Sequence, residues 1–308
     1  MKEKIVFLGL GILLFSCFLA ACAQKNDSEG HPSILSSEAT TQMEQPIIES
    51  SMSFEAEKSV EETPPPQAQL VSEQVLEGET GTIHYSYYLP EGYGENRRYP
   101  LVVTMPGYDM MWFGEDSSGA NLDWGGFLCW TTLPEDMIVV SAQLTDWQET
   151  SARQAIELTE YFIHHFSVDQ NRVYAVGYSA GGETMSQAVS IRPDLYAAYL
   201  HGASQWDGEF TPIAEHGVAV YIFMAENDEY YGSQRAWDAY NGLYAAYESA
   251  GWAEEEIDTV LQIQTPDNLW FAQRGITENY HGGGNAVFDE PSILDWIVRH
   301  CKKGEPTR

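Results

Sequence analysis

The stretch RVYAVGYSAGGETMSQAVSI, residues 172–191, constrains the fold of this chain more than any other. Its first half is a short run of small and β-branched residues of strand length, and its second half reads as the start of a helix. Between the halves, Ser179 stands in a G-x-S-x-G pattern with Gly177 and Gly181. A strand that passes into a helix through this pattern makes a tight turn that lifts a serine hydroxyl clear of the backbone, with glycines where bulky neighbours would clash. The expectation is a serine nucleophile at the carboxyl end of a strand.

The chain around it carries the same alternation. YPLVVTMPG, DMIVVSAQL, NRVYAVGYS, YAAYLHGAS and VAVYIFMAEND are five apolar runs of strand length, several closed by glycine, serine or aspartate. Near-continuous apolar strands suit a parallel sheet covered on both faces. Helical patterns lie between them, at WQETSARQAIELTEYFIHHF, after Ser179, at SQRAWDAYNGLYAAYESAG and finally at EPSILDWIVRHC. QVLEGETGTIHYSYYLPEGY reads as a hairpin turning at EGETG. The expected architecture is one doubly wound α/β domain over residues 71–308.

The segment before it has other tasks. Lys2 and Lys4 precede an apolar stretch from Ile5 to Phe18, and small residues stand between it and Cys22, the pattern of an export signal over residues 1–21. Leu19-Ala20-Ala21-Cys22 resembles the bacterial lipoprotein box, which implies cleavage before Cys22 and lipid on its thiol, holding the protein at the outer side of the cell membrane. An uncleaved anchor or an ordinary signal peptide also exports the rest of the chain. Residues 22–70 are rich in Ser, Glu, Gln, Thr and Pro with few large apolars, and end in EETPPPQAQL. They bury too little to fold and read as a tether spanning roughly 35–40 Å.

Of the four cysteines, Cys129 and Cys301 remain for the folded part, as one bridge or as two thiols. No C-x-x-C or H-E-x-x-H spacing suggests zinc, so no metal or cofactor is expected. With 46 acidic against 15 basic residues the formal charge is −31, which argues against nucleic acid as a partner and favours a neutral or cationic substrate.

In open α/β sheets, ligands bind at the carboxyl ends of the strands, so the polar residues closing each run are the candidates. Ser179 closes one. Asp228 comes just after the end of another, with Glu226 and Asp258 as alternatives for an acid. His281 lies in the loop ENYHGGG, whose glycines let a ring reach over a strand end, and His201, which ends a strand, is its strongest competitor. Serine needs a base near neutral pKa to take its proton during attack, and an acid to orient and stabilise that base. Two backbone N–H groups for the developing oxyanion are expected from Ala180 and from the turn at Gly107 and Tyr108.

In that order, MPGY, DW, RVYAVGYSAGG, AENDEYYG and YHGGG with the Phe and Trp after it resemble the secreted α/β-hydrolase esterases of the polyhydroxybutyrate-depolymerase and feruloyl-esterase type, from about Val75 to Cys301. The resemblance implies the α/β-hydrolase fold and a Ser179, Asp228 and His281 esterase, with Gly107, Tyr108 and Ala180 as the oxyanion hole. Many relatives open that hole with a histidine-glycine stretch where this chain has Met105-Pro106-Gly107, a change that keeps the backbone donors. Trp112, Phe113, Trp124 and Trp130 lie just beyond the hole turn and form either an aromatic substrate wall or internal packing. Esters of polysaccharides or phenolic acids suit an exported enzyme. A serine peptidase acting on short peptides and a non-catalytic surface binding protein are the competing readings.

Overall fold

The computed structural model of the chain describes residues 67–114 and 121–302. The export signal, Cys22 and the tether up to residue 66 lie outside the described residues. Eight strands make one sheet: β1 (Gln69–Gly78), β2 (Gly81–Leu89), β3 (Tyr99–Met105), β4 (Ile138–Gln143), β5 (Val168–Tyr178), β6 (Ala198–Gly202), β7 (Ala219–Phe223) and β8 (Leu261–Gln264). Their spatial order is β1-β2-β4-β3-β5-β6-β7-β8. The β1–β2 and β2–β4 pairs are antiparallel and all the others parallel.

Every residue of β3 and β4 is buried, as apolar runs in the middle of a doubly covered sheet must be. Strand β1 is mostly exposed, since it forms the sheet edge. Among the described residues there are nine α-helices, α1 (Gly125–Thr131), α2 (Glu149–His165), α3 (Ala180–Ile191), α4 (Thr211–His216), α5 (Gln234–Ser249), α6 (Glu254–Val260), α7 (Asn268–Ala272), α8 (Tyr280–Gly283) and α9 (Pro291–Val298), with short 3-10 turns at Tyr108–Met110, Pro193–Leu195 and Gly284–Asp289.

The pleat sorts side chains to two faces, because successive residues of a strand alternate. On β6, Tyr199 and His201 face α3, and the Tyr199 hydroxyl donates to the Gly182 carbonyl at 2.9 Å. Register pairs Tyr174 with Ala198 and Leu200 with Tyr221, so those two tyrosines point the other way. There Tyr221 meets Trp296 of α9 edge-on at 5.3 Å, and the Tyr174 hydroxyl donates to the Val298 carbonyl. Helix α2 buries Ala152, Ala155, Leu158, Thr159 and Phe162, a stripe at helical spacing, and Phe162 packs edge-on against Tyr85 and Tyr87 of β2. Full burial of a phenylalanine such as Phe162 stabilises by about 2–3 kcal/mol.

Several elements depart from the sequence expectation. Gln69 and Leu70, assigned to the tether, belong to β1, where they pair with Leu89 and Tyr88. Strand β8 is four residues, LQIQ, too short for a periodic signal, and exists through its pairing with β7. Helix α1 starts with two glycines, a poor helix opening, and is carried by Phe127 and Trp130, which are buried three residues apart. Cys129 and Cys301 are both free thiols.

Candidate active site

The parallel strands end along one margin of the sheet, and four of the connections leaving that margin, after β3, β5, β7 and β8, carry the candidate residues. At the end of β5 the backbone turns at Ser179 with φ 54° and ψ −125°, a conformation non-glycine residues rarely hold. The turn is pinned from below: Ser179 N–H donates to Gly202 O at 3.0 Å, and Ser204 Oγ donates to Ser179 O at 2.7 Å. The flanking glycines are steric necessities. A Cβ on Gly177 would lie 2.5 Å from Gly181 O, and one on Gly181 would lie 2.2 Å from Met105 O and 2.4 Å from Pro106 O. Gly181 is thus where helix α3 touches the loop after β3.

Ser179 Oγ lies 2.9 Å from His281 Nε2, and His281 Nδ1 lies 2.9 Å from Asp228 Oδ2. The acid is fully buried and the imidazole mostly so. Asp228 Oδ1 accepts the N–H groups of Tyr230 and Tyr231 at 2.9 and 2.8 Å, which closes the loop after β7 on itself. Burial alone would push this carboxyl up, but the His281 hydrogen bond and the Tyr231 and Tyr230 N–H groups outweigh it and hold it below the ordinary carboxylate value. His281 is held by its backbone as well. Its N–H donates to Glu229 Oε2 at 3.0 Å, and the Tyr178 hydroxyl donates to its carbonyl. Asn279 enters α8 in the left-handed region at φ 52° and caps it, with Oδ1 accepting Gly282 N–H at 3.0 Å.

Tyr108 and Ala180 are each the first residue of a helical turn, so neither N–H has an acceptor within its own helix. Both line the cleft that Ser179 faces. A Cβ on Gly107 would point at Ser179, 3.4 Å from its Cβ and 3.9 Å from its Oγ, into the space an attacked carbonyl needs. The arrangement brings a serine hydroxyl, an imidazole, a buried carboxylate and two backbone N–H groups to one cleft, the kinds of group that acyl transfer requires.

Known proteins share this architecture. The prolyl oligopeptidase family matches residues 141–251, a stretch holding Ser179 and Asp228 that stops before His281. No curated protein sequence matches significantly. Among solved structures, a thermostable esterase superposes with a TM-score of 0.62 at 17% identity, over 76% of this chain. This chain spans 63% of that protein, just under two thirds of its length. The feruloyl esterase module from Clostridium thermocellum, complexed with sinapinate, gives a TM-score of 0.52 at 15% identity, over 80% of this chain and 94% of its own. A ferulic acid esterase gives 0.50 at 14%, over 76% and 98%. The chain has the α/β-hydrolase fold. The expected likeness to α/β-hydrolase esterases, feruloyl esterases among them, is borne out at that level.

Within this fold, the competing acids and base lie elsewhere. His201 is fully buried beneath the turn, its ring nitrogens 2.7 Å from the Tyr199 hydroxyl and 3.1 Å from Ser204 O. Burial pushes it down to about 4. Glu226 is exposed just before Asp228, and Asp258 is exposed on α6.

The aromatic wall is a correction. None of Trp112, Phe113, Trp124 and Trp130 lines the cleft. Trp112 stacks on His84 of β2 with centroids 3.4 Å apart. Phe113 lies exposed behind Tyr108. Trp124 is buried edge-on against Phe288 and donates its indole N–H to Asn285 Oδ1, and Trp130 is buried in the core. Nearness in sequence to the hole turn suggests a wall, but helix α1 buries Trp130 and the start of that helix buries Trp124, while Trp112 is held on His84 of β2.

The cleft, about 430 Å³, is walled instead by Tyr108, Trp147, Tyr178, Tyr230 and Tyr231, with Glu183 and Asp109 as acidic members. Sequence reasoning missed Tyr178, Glu183, Asn279 and Tyr231, and it reached Glu229 only as one of the polar residues that close β7. Glu183 and Tyr178 flank Ser179 within four residues, and that proximity is the one signal that could have found them. No local signal marks Asn279 or Tyr231.

Proposed function

We propose that the chain is a serine hydrolase that cleaves carboxylic esters through an acyl-enzyme. The observation that carries this reading is the continuous hydrogen-bonded relay from Ser179 through His281 to a buried Asp228. Ser179 Oγ attacks the ester carbonyl while His281 Nε2 takes its proton, and Asp228 stabilises the imidazolium. Tyr108 and Ala180 N–H groups hold the negative oxygen of the tetrahedral intermediate. The intermediate collapses as Nε2 returns the proton to the departing alkoxide. Water, deprotonated by the same nitrogen, then releases the acid and restores Ser179.

Hydrolysis of p-nitrophenyl acetate tests this. Wild type should show a burst and then steady turnover, and Ser179→Ala should lose about 10⁶-fold in kcat. Equal rates from the two proteins would sink the reading. The match to the prolyl oligopeptidase family favours one further reading, peptide hydrolysis, and matched ester and amide substrates with a common acyl group separate the two.

We also propose an exported enzyme, tethered to the cell membrane through lipid on Cys22 and acting on polysaccharide-linked or phenolic esters. The N-terminal pattern and the sinapinate-bound feruloyl esterase of the same fold support this. Incorporation of labelled palmitate that Cys22→Ala abolishes is the expected result.

A further inference from the structure

We infer that the cleft selects esters bearing a cationic group, recognised by Glu183 and held in aim by Tyr231. The inference rests on the ester-hydrolase reading above and adds a substrate class to it. Glu183 lies in the first turn of α3, four residues after Ser179, and its side chain lines the cleft although the residue is only 7% exposed. Buried carboxylates ordinarily find a cation, since desolvating an unpaired charge is costly. Among the described residues, every Arg–carboxylate ion pair lies elsewhere and none includes Glu183.

Its neighbours deepen the imbalance. Oε1 accepts the Tyr231 hydroxyl at 2.5 Å, and the second carboxyl beside it is Asp207, whose own nearby cation is Arg235. Burial pushes the Glu183 carboxyl up, the Tyr231 hydrogen bond opposes this, and Asp207 adds to the rise. Glu183 and Asp207 are hydrogen-bonded to each other, so the two carboxyls share a proton and the pair keeps one negative charge, and the cleft is the side from which a counter-charge can arrive.

The rest of the lining points the same way. It contains Asp109 and no lysine or arginine, and Tyr108, Trp147 and Tyr230 present aromatic rings, surfaces that attract cations through their π faces. Tyr231 fixes the geometry. Its N–H is tied to Asp228 Oδ1 and its hydroxyl to Glu183, so the loop that holds the acid of the relay also orients the carboxylate beside the nucleophile. The cleft volume of about 430 Å³ admits a trimethylammonium group on a short chain.

Two isosteric ester pairs test the inference at constant ionic strength. On the alcohol side these are acetylcholine and 3,3-dimethylbutyl acetate. On the acyl side they are the p-nitrophenyl esters of 4-(trimethylammonio)butyrate and 5,5-dimethylhexanoate. The expected result is a kcat/KM advantage of tenfold or more for the cation in one pair, falling towards one in Glu183→Gln and partly restored in Glu183→Asp. Glu255→Gln, the same charge change on the exposed face of α6, should leave the advantage intact. Equal kcat/KM within both pairs in wild type would overturn the inference, as would a loss of equal size in Glu255→Gln, which would assign the preference to overall charge. Calorimetric binding of choline against 3,3-dimethylbutanol to Ser179→Ala needs no turnover. Choline binding there supports the cation site even if no ester is cleaved, whereas its absence overturns the site while leaving the hydrolase reading to the p-nitrophenyl acetate assay.

Discussion

Ser179 and His281 meet at 2.9 Å, yet the two sides of that contact are built differently. The serine side is held by steric exclusion: a strained backbone turn, open only towards the cleft, with glycines packed directly against carbonyl oxygens. The histidine side is held by hydrogen bonds from a few side chains, namely Asp228, Glu229, Tyr178 and Asn279, across loops that leave Tyr230 74% exposed. Packing against backbone tolerates almost no change of residue, whereas a hydrogen-bonded loop tolerates change wherever a partner is kept. Substitution of the packed glycines should therefore cost chiefly stability, and substitution of the carboxylate partner chiefly turnover.

After loss of the Ser179 hydroxyl itself, the largest effect is expected on the histidine side. Asp228→Asn keeps the shape of the loop but leaves the imidazole without its charge partner and in the wrong tautomer, and kcat should fall about 10⁴-fold with the fold intact. Kinetics together with circular dichroism decide it, and a fall below tenfold would break the assignment of the acid. On the serine side, Gly181→Ala forces a Cβ against Met105 O and Pro106 O, the backbone that carries the Gly107 and Tyr108 turn. Clashes of this severity cost about 3 kcal/mol or more, and what folds should have the Gly107 and Tyr108 turn displaced from Ser179. Denaturant unfolding should show the loss; a stable, fully active variant would refute the steric account.

Acid should loosen the serine side. His201 lies beneath the turn and reaches Ser179 through Ser204, whose hydroxyl donates to the serine carbonyl. Burial pushes His201 down to about 4 from an ordinary 6.5, so the unfolded chain binds the extra proton between those values. Stability should therefore rise with pH from about 4 to 6.5 and be insensitive to this group below and above that window. The full effect is on the order of 3 kcal/mol. Unfolding midpoints measured at pH 4 and pH 7 in wild type and His201→Asn should differ in slope accordingly. The smallest effect belongs to Asn279. Asn279→Ala loses the cap and keeps the left-handed strain, costing about 1–2 kcal/mol, while Asn279→Gly should cost only a few tenths. If both variants cost equally, the lost cap and not the left-handed strain carries the effect.

Much of this architecture was legible in the sequence, and the two sides of the contact also differ in that respect. The five buried strands and the serine turn were readable because each depends on neighbours a few positions away. His281 was readable from the glycines just after it, although they serve α8 and the cap at Asn279 rather than a free loop. What Glu229 and Tyr231 hold was not readable, because their partners, His281 and Glu183, lie 52 and 48 positions away. Helix α1 contradicted its own opening glycines because two buried aromatics against the sheet outweigh a local propensity of about 1 kcal/mol per glycine.

Sequence by itself determined the alternation of buried strands and helices and the position of the strained serine, and it pointed to His281 and Asp228 beside their competitors. Those features come from periodicity and from where a side chain cannot fit, which are local rules. Tertiary structure alone decided which of 18 tyrosines and nine tryptophans wall the cleft, and that Glu183 lines it without a basic partner. Which way a side chain faces at a loop, and what stands opposite it, depends on how distant segments pack, and no local pattern carries that information.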